Sequence, residues 1–380
     1  MLLERPFRPL FASAVIYAVL VMGGWWAVFR GLLLAPPDYG PALWHAHEMV
    51  FGYAVAVIAG FLLTAGENWT GMQTARGKLL AALWGLWLTA RLTPFISALD
   101  WVAPFADLAF LIAVALILGK CIYAAGQRRN LVVVVIITLL ACVHALFYQA
   151  LGKSTGAAME WVQVGLRLII LLIILIAGRV MPLFTRNAIP GHQPESRARL
   201  DVASIVLVGI WLVAESLPAT AGWLRLFLGA AVAVLLALRC HGWFAPEVVK
   251  NPMLWVLYAG FTWVASGFLL TGLAAVGAVP GSAATHAFTV GGIGVMTAGM
   301  MARVTMGHTG RPIRANRTLA LCFVLINAAA LVRVAAPMFA PQWFVAAVTV
   351  SSWGWILGFA LLAWTILPMA AAARVDAQTG

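Results

Sequence analysis

Two histidines and one glutamate lie at the start of an apolar run in LWHAHEMVFGYAVAVIAGFLL, residues 43–63. Imidazole and carboxylate groups bind metal ions and transfer protons, and burying them without partners is costly. His45 and His47 are two residues apart, so on an α-helix their side chains point about 200° apart. Glu48 follows His45 by three residues and shares its helical face. The spacing predicts that the two histidines serve different sites, unless the chain is irregular here.

Other ionisable residues also interrupt apolar runs. Imidazole binds copper, zinc and haem iron, arginine pairs with haem propionates, and buried carboxylates relay protons. We therefore expect these residues to line a cavity or a cofactor site. The set comprises His45, His47, His144 and His286 as metal ligands, Glu48, Asp107 and Glu215 as proton-transferring carboxylates, and Arg91 and Arg167 as partners of a cofactor.

The composition places these residues in a membrane protein. Of the 380 residues, 63% are hydrophobic and 9% are charged, whereas soluble domains carry about 25% charged residues. Many apolar stretches reach the ~20 residues needed to cross a bilayer. We predict an all-α, polytopic membrane helix bundle that forms one integral domain over residues 1–380. Its twelve spans are predicted at 10–33, 44–65, 79–98, 102–123, 131–151, 161–181, 201–217, 222–239, 253–275, 284–304, 317–336 and 343–369.

The basic residues orient these spans and exclude a nucleic-acid partner. The net charge is +12, but Lys and Arg are scattered singly between apolar runs, which is typical of membrane topology. When the connections alternate between sides, 18 of the 24 basic residues fall on the side of both termini, 5 fall opposite, and Arg167 lies within a span. The positive-inside rule then predicts cytoplasmic termini and places His45, His47, His144 and His286 in the outer leaflet.

Three long segments carry a resemblance to a known family. They are WHAHEMVFGYAVAVIAGFLLTAGENWTG (44–71), GRVMPLFTRN (178–187) and HAFTVGGIGVMTAGMMARVTMGHTGRP (286–312). Together with the twelve-span layout they resemble the NnrS family of bacterial inner-membrane proteins. The resemblance implies haem, expected to be b-type, copper, and a role in nitric oxide metabolism and nitrosative-stress defence, often beside denitrification genes. Arg303 and His308, with Arg179, are motif positions to which it gives no role.

The resemblance and the residue pattern together give a mechanistic hypothesis. His47 and His286 are expected to be axial haem ligands, while His45 and His144, with Glu48 nearby, are expected to hold copper or to complete a second site. The haem iron would bind nitric oxide, and Glu48, Asp107 or Glu215 would supply protons from the outer side. The enzyme class that fits is a nitric oxide-reducing oxidoreductase. The sequence does not specify the electron donor.

Two other classes of protein also fit the sequence. A secondary transporter would use the embedded histidines and glutamates as proton or substrate sites and would need no haem. A haem-based sensor or assembly factor would bind the same cofactors without turnover. Absorption spectra separate the transporter from the haem proteins, and turnover of nitric oxide separates an enzyme from a sensor.

Overall fold

The computed structural model describes residues 1–36, 38–96, 98–195 and 197–376. Within these residues the chain forms twelve long helices and no strand, which confirms the all-α prediction. The helices are α1 Phe7–Phe29, α2 Pro41–Thr70, α3 Gly77–Leu92, α4 Val102–Ala124, α5 Leu131–Leu151, α6 Thr155–Ala188, α7 Ala198–Ser216, α8 Gly222–Trp243, α9 Pro252–Ala275, α10 Gly281–His308, α11 Arg317–Phe339 and α12 Phe344–Ala371.

The predicted spans and the observed helices correspond one to one. In the part of the chain that is described, ten helices are long and apolar enough to cross a membrane. The two others are α3, with 16 residues, and α7, whose first turn carries Asp201. The largest difference is α6, which has 34 residues because it continues through Pro182. The prediction of a multi-pass membrane protein is confirmed, and the side of each terminus stays a prediction.

The chain divides into two compact units. The first unit comprises Met1–Leu168, Met301–Pro312 and Ala363–Gly380. In it, α2 packs against α1 and α4, and α4 packs against α3 and α5. The second unit comprises Ile169–Met300 and Ile313–Leu362, where α9 packs against α8 and the first half of α10.

The ends of α2 follow from local backbone chemistry. Pro41 occupies the first helical turn, where its missing N–H costs no hydrogen bond, and Gly40 before it has a φ of 66°. The helix ends at Gly71, also at a φ of 66°, whose N–H donates to the carbonyl of Glu67. Gly60 lets α1 approach closely, because a Cβ there would lie 2.9 Å from the ring of Phe11.

Two helices contain a wider turn immediately after a histidine. In α2 the residues Glu48–Ala54, directly after His47, form a π-helical segment. In α10 the residues Ala287–Gly294, directly after His286, do the same. Such segments change the direction of the side chains before them relative to those after them, and they are frequent at functional sites.

Candidate metal centre

Two histidines of the first unit face each other through their Nε2 atoms. His47 comes from the start of α2 and His144 from the last two turns of α5, and each is 1% exposed. The Nε2 atoms are 2.9 Å apart. Ligand atoms of His47, His144 and Asp107 all lie within 4.8 Å of one another, which makes these three residues a group that could hold a metal ion.

Glu48 orients the first of these imidazoles. Its Oε1 is 2.8 Å from Nδ1 of His47, so Nδ1–H donates to the carboxylate and Nε2 is left as the ligand atom. A carboxylate that accepts from the second ring nitrogen of a histidine fixes its tautomer and raises its basicity as a ligand. The other oxygen of Glu48 accepts hydrogen bonds from Tyr17 Oη and, at 2.9 Å, from Arg91 Nη1.

Asp107 completes the polar cluster from α4. Arg91 of α3 donates through Nη2 to its Oδ2, so one guanidinium joins both carboxylates of the cluster. Tyr148 Oη donates to the same Oδ2 at 2.7 Å. Nε2 of His144 lies 3.7 Å from this oxygen. At this distance the carboxylate would attract a proton or a metal ion bound to Nε2.

The charges of this buried cluster do not balance without a further cation. Counted by formal charge, Glu48 and Asp107 contribute two negative charges and Arg91 contributes one positive charge; all three are at most 4% exposed. Buried charges need compensation, because the free energy lost on removing a charged group from water is not recovered when its partner is missing. The remaining negative charge lies beside the Nε2 pair, so a proton or a metal ion at that pair would neutralise the cluster.

Aromatic rings enclose the two imidazoles. Phe51 stacks on His144 with 3.9 Å between ring centroids, and Phe147 stacks on His47 at 4.5 Å. Gly165 of α6 makes room for Phe51, since a Cβ there would lie 2.7 Å from its Cζ. The rings exclude water, which strengthens every electrostatic interaction inside the site.

The distance between His47 and His144 fits a bound metal ion. Histidine nitrogens bind zinc or copper at about 2.0–2.1 Å, so two nitrogens in neighbouring coordination positions lie about 2.9–3.4 Å apart. The observed 2.9 Å between His47 and His144 is within this range. It also suits an N–H···N hydrogen bond when no metal is bound.

A glycine of the π-helical segment allows the cluster to form. A Cβ at Gly52 would lie 2.7 Å from Arg91 Nη1, 2.9 Å from Glu48 Oε2 and 3.0 Å from Cε1 of Tyr17. The carbonyl of Gly52 also accepts a hydrogen bond from Nε1 of Trp87 at 3.0 Å. No larger residue fits at this position without displacing the pair that orients His47.

Comparison with known proteins adds the family. The model of a protein family described as "NnrS protein" matches residues 1–374 of the chain. The chain belongs to the NnrS family. No match was found among curated proteins.

Two other histidines predicted as metal ligands in this NnrS protein are not members of the group of His47, Asp107 and His144. His45, in the first unit, stacks on Trp25 with 4.5 Å between centroids. The sequence analysis paired His144 with His45, whereas in the structure His144 contacts His47. His45 and His47 point in different directions from α2 and therefore contact different neighbours. His286 belongs to the second unit, where its Nδ1–H donates to the carbonyl of Ser282 at 2.6 Å.

The remaining predicted residues of the NnrS chain divide between the units. Glu215 and Arg179 belong to the second unit, and Glu215 pairs with Arg225 at 4.0 Å. Arg167 lies half-buried on α6 in the first unit, and Arg303 is 7% exposed on the part of α10 in that unit.

The motif residue His308 lies in a separate cluster of the first unit. Its Nδ1 is 3.5 Å from Arg5 Nη1, and its ring packs on Phe7. Arg5 in turn pairs with buried Glu67 at 3.5 Å, and Arg76 pairs with the same oxygen at 3.3 Å. These contacts join the start of α1 to the ends of α2 and α10, which supports a structural role for the motif.

Sequence reasoning missed the tyrosines of the NnrS site. Tyr17, Tyr39 and Tyr148 all lie at the cluster, and the ring of Tyr39 packs on His47 with 5.4 Å between centroids. One of them carried a usable signal, because Tyr148 follows His144 by four residues and therefore shares its helical face. Tyr17 lies in an apolar span with no ionisable neighbour at helical spacing.

Proposed function

We propose that this NnrS protein binds copper at His47, His144 and Asp107 and reduces nitric oxide there, in the bacterial inner membrane. One observation carries the metal assignment: two buried Nε2 atoms lie 2.9 Å apart beside a cluster that has one uncompensated negative charge. Copper is favoured over other divalent first-row metals by a site of imidazole and carboxylate, because Cu²⁺ binds most tightly in the Irving–Williams order. The family resemblance supplies nitric oxide as the ligand.

Bound copper would supply a redox centre that can bind nitric oxide. The protein residues would hold and orient it. Glu48 fixes the tautomer of His47, Arg91 holds both carboxylates in place, and the aromatic rings surround the two imidazoles. Preorganised charges of this kind need no rearrangement when charge develops on a bound ligand.

A polar cavity gives the centre access to water. It has a volume of about 490 Å³ and is lined by residues that include Tyr39, Tyr148, Asp38 and Asp100. Tyr148 touches both the cavity and Asp107, since it donates to the carboxylate at 2.7 Å. Protons could therefore pass between the cavity and the buried carboxylate through one hydroxyl group. Reduction of two nitric oxide molecules to nitrous oxide consumes two protons and releases one water molecule.

We also propose that the protein binds haem, with His286 of the second unit as a ligand of the iron. Because the hydrogen bond to Ser282 holds the proton on Nδ1, the tautomer is the one that binds metals through Nε2. The family resemblance supports haem, and the packing around His47 favours assigning it to His286. The variant His286→Ala should then lose haem and keep copper.

The test is metal analysis on purified variants. His47→Ala and His144→Ala should each lose copper, while the matched control His241→Ala, an exposed histidine at the end of α8, should keep it. The copper signal in the electron paramagnetic resonance spectra of the same samples should be present, and change on addition of nitric oxide, only where copper is retained. Copper retained in both site variants would refute the ligand assignment. A protein free of metal and haem from replete cells would favour a transporter instead.

The enzyme and the sensor give different results in one assay. The wild-type protein supplied with a reductant should consume nitric oxide and form nitrous oxide over many turnovers. A spectral change on binding without any nitrous oxide would refute reduction and favour the sensor.

A further inference from the structure

An apolar cleft of the first unit ends at the residues that orient His47. The cleft has a volume of about 490 Å³ and is lined mainly by α1 and α3. Its wall contains three tryptophans, Trp44, Trp84 and Trp87. It also contains Tyr17 and Arg91, the two residues that donate to Glu48. A volume of this size and an apolar wall with a few convergent polar groups are typical of small-molecule sites.

The rim of the cleft is apolar and exposed. Leu20, Leu34 and Leu92 line it and are 64%, 95% and 61% exposed. Leu20 lies on α1, one of the helices long and apolar enough to cross a membrane, where an exposed leucine faces lipid. A ligand would therefore enter from the bilayer, and it must itself be soluble there.

The polar end of the cleft favours a neutral ligand that carries oxygen. The polar residues that line this end of the cleft are Arg91 and Tyr17, whose polar groups are hydrogen-bond donors and suit a ligand oxygen. The cluster already carries more negative than positive charge, which disfavours the phosphate of a phospholipid. The indole rings suit a flat ring, because aromatic pairs stack in offset or edge-to-face arrangements.

A continuous chain of hydrogen bonds runs from this end of the cleft to the proposed copper ligand. Tyr17 Oη donates to Oε2 of Glu48, and Oε1 of Glu48 accepts from Nδ1 of His47. Nε2 of the same imidazole faces His144. An electron donor in the cleft would thus be linked to the metal site through the side chains of Tyr17, Glu48 and His47.

We propose that this cleft binds a hydroquinone with an apolar tail, which donates electrons to the metal site. The proposal rests on the proposed function and names its electron donor. The hydroquinone loses two electrons and two protons and becomes the quinone. Two nitric oxide molecules take up two electrons and two protons, lose one N–O bond, form one N–N bond, and yield nitrous oxide and water. One hydroquinone therefore balances one reaction cycle.

A pair of neighbouring glycines allows a matched test of binding. Gly24 lines the cleft, and a Cβ there would lie 3.1 Å from the ring of Trp44. A Cβ at Gly23 would meet nothing within 4 Å, and Gly23 is not part of the cleft wall. The variant Gly24→Leu should fill the cleft, whereas Gly23→Leu adds the same side chain next to it.

The measurement is binding of decylubiquinone to the protein in phospholipid nanodiscs, with and without copper. Wild type and Gly23→Leu should bind the probe saturably, and Gly24→Leu should bind it at least tenfold more weakly. The variant Tyr17→Phe should keep binding and slow the reduction of copper by decylubiquinol. Equal binding in Gly24→Leu, or non-saturable uptake that follows the lipid content of the nanodisc, would overturn the proposal.

The two proposals fail in different ways. Binding to copper-stripped protein tests the cleft alone, and metal analysis tests the copper site alone. Copper without saturable probe binding overturns the hydroquinone site and leaves the metal centre. Saturable binding that Gly24→Leu weakens, in a protein that never holds copper, overturns the metal centre and leaves the cleft.

Discussion

The substitution Gly52→Ala tests whether the carboxylate that orients His47 matters for metal binding. The added Cβ would lie 2.7 Å from Arg91 Nη1 and 2.9 Å from Glu48 Oε2, so one of these groups must move. Overpacking of this kind costs about 1–3 kcal/mol. Loss of a partner that orients a metal ligand lowers metal affinity by about 10–100-fold. We expect the dissociation constant for copper to rise within that range.

The assay is competition for copper with a chelator of known affinity. The matched control is Gly85→Ala on α3, where a Cβ meets nothing within 4 Å. Alanine is the better helix former by about 1 kcal/mol, so this control should bind copper as the wild type does and unfold at the same or a higher temperature. If Gly52→Ala is folded and binds copper within threefold of the wild type, the role given to Glu48 and Arg91 is wrong.

Three further substitutions test other contacts of the site. Tyr148→Phe removes the donor to Asp107, a hydrogen bond to a charged group worth about 1.5–3 kcal/mol, and should weaken copper binding about tenfold or more in the chelator assay. In Gly165→Ala the added Cβ would lie 2.7 Å from Cζ of Phe51 and would displace this ring. The overpacking should lower the unfolding temperature measured in a thermal scan. Arg91→Lys cannot join two carboxylates with a fork of donors, so it should lose most copper, and metal analysis showing full occupancy would contradict this.

The helices, and the depth of the polar residues within them, could be predicted from the sequence because the length of each apolar run is read directly along the chain. Each apolar run of sufficient length gave one helix, and the count of twelve is confirmed in the described residues. Alternation of the loops then assigned one depth to His47, Arg91, Asp107 and His144. The structure brings these four into a single cluster.

The choice between His45 and His47 could not be made from hydrophobic length. Depth is nearly the same for both, and only the rotation of α2 decides which one meets α5. That rotation depends on packing around residues far away in sequence, such as Gly165, and on the π-helical turn that begins at Glu48. A sequence pattern with a period of 3.6 residues does not locate a single wider turn.

The charge of the cluster explains why the histidines and the carboxylates must be considered together. If Arg91 were paired with Glu48 alone, Asp107 would be a buried carboxylate with Tyr148 as its main donor, and its desolvation would be largely uncompensated. With one guanidinium shared between both carboxylates, the deficit is one charge, and it lies beside two Nε2 atoms that no carboxylate hydrogen-bonds closely. A proton or a metal ion at the Nε2 pair would remove this deficit. The same balance predicts that removing either carboxylate lowers the affinity for the ion even where both imidazoles remain in place.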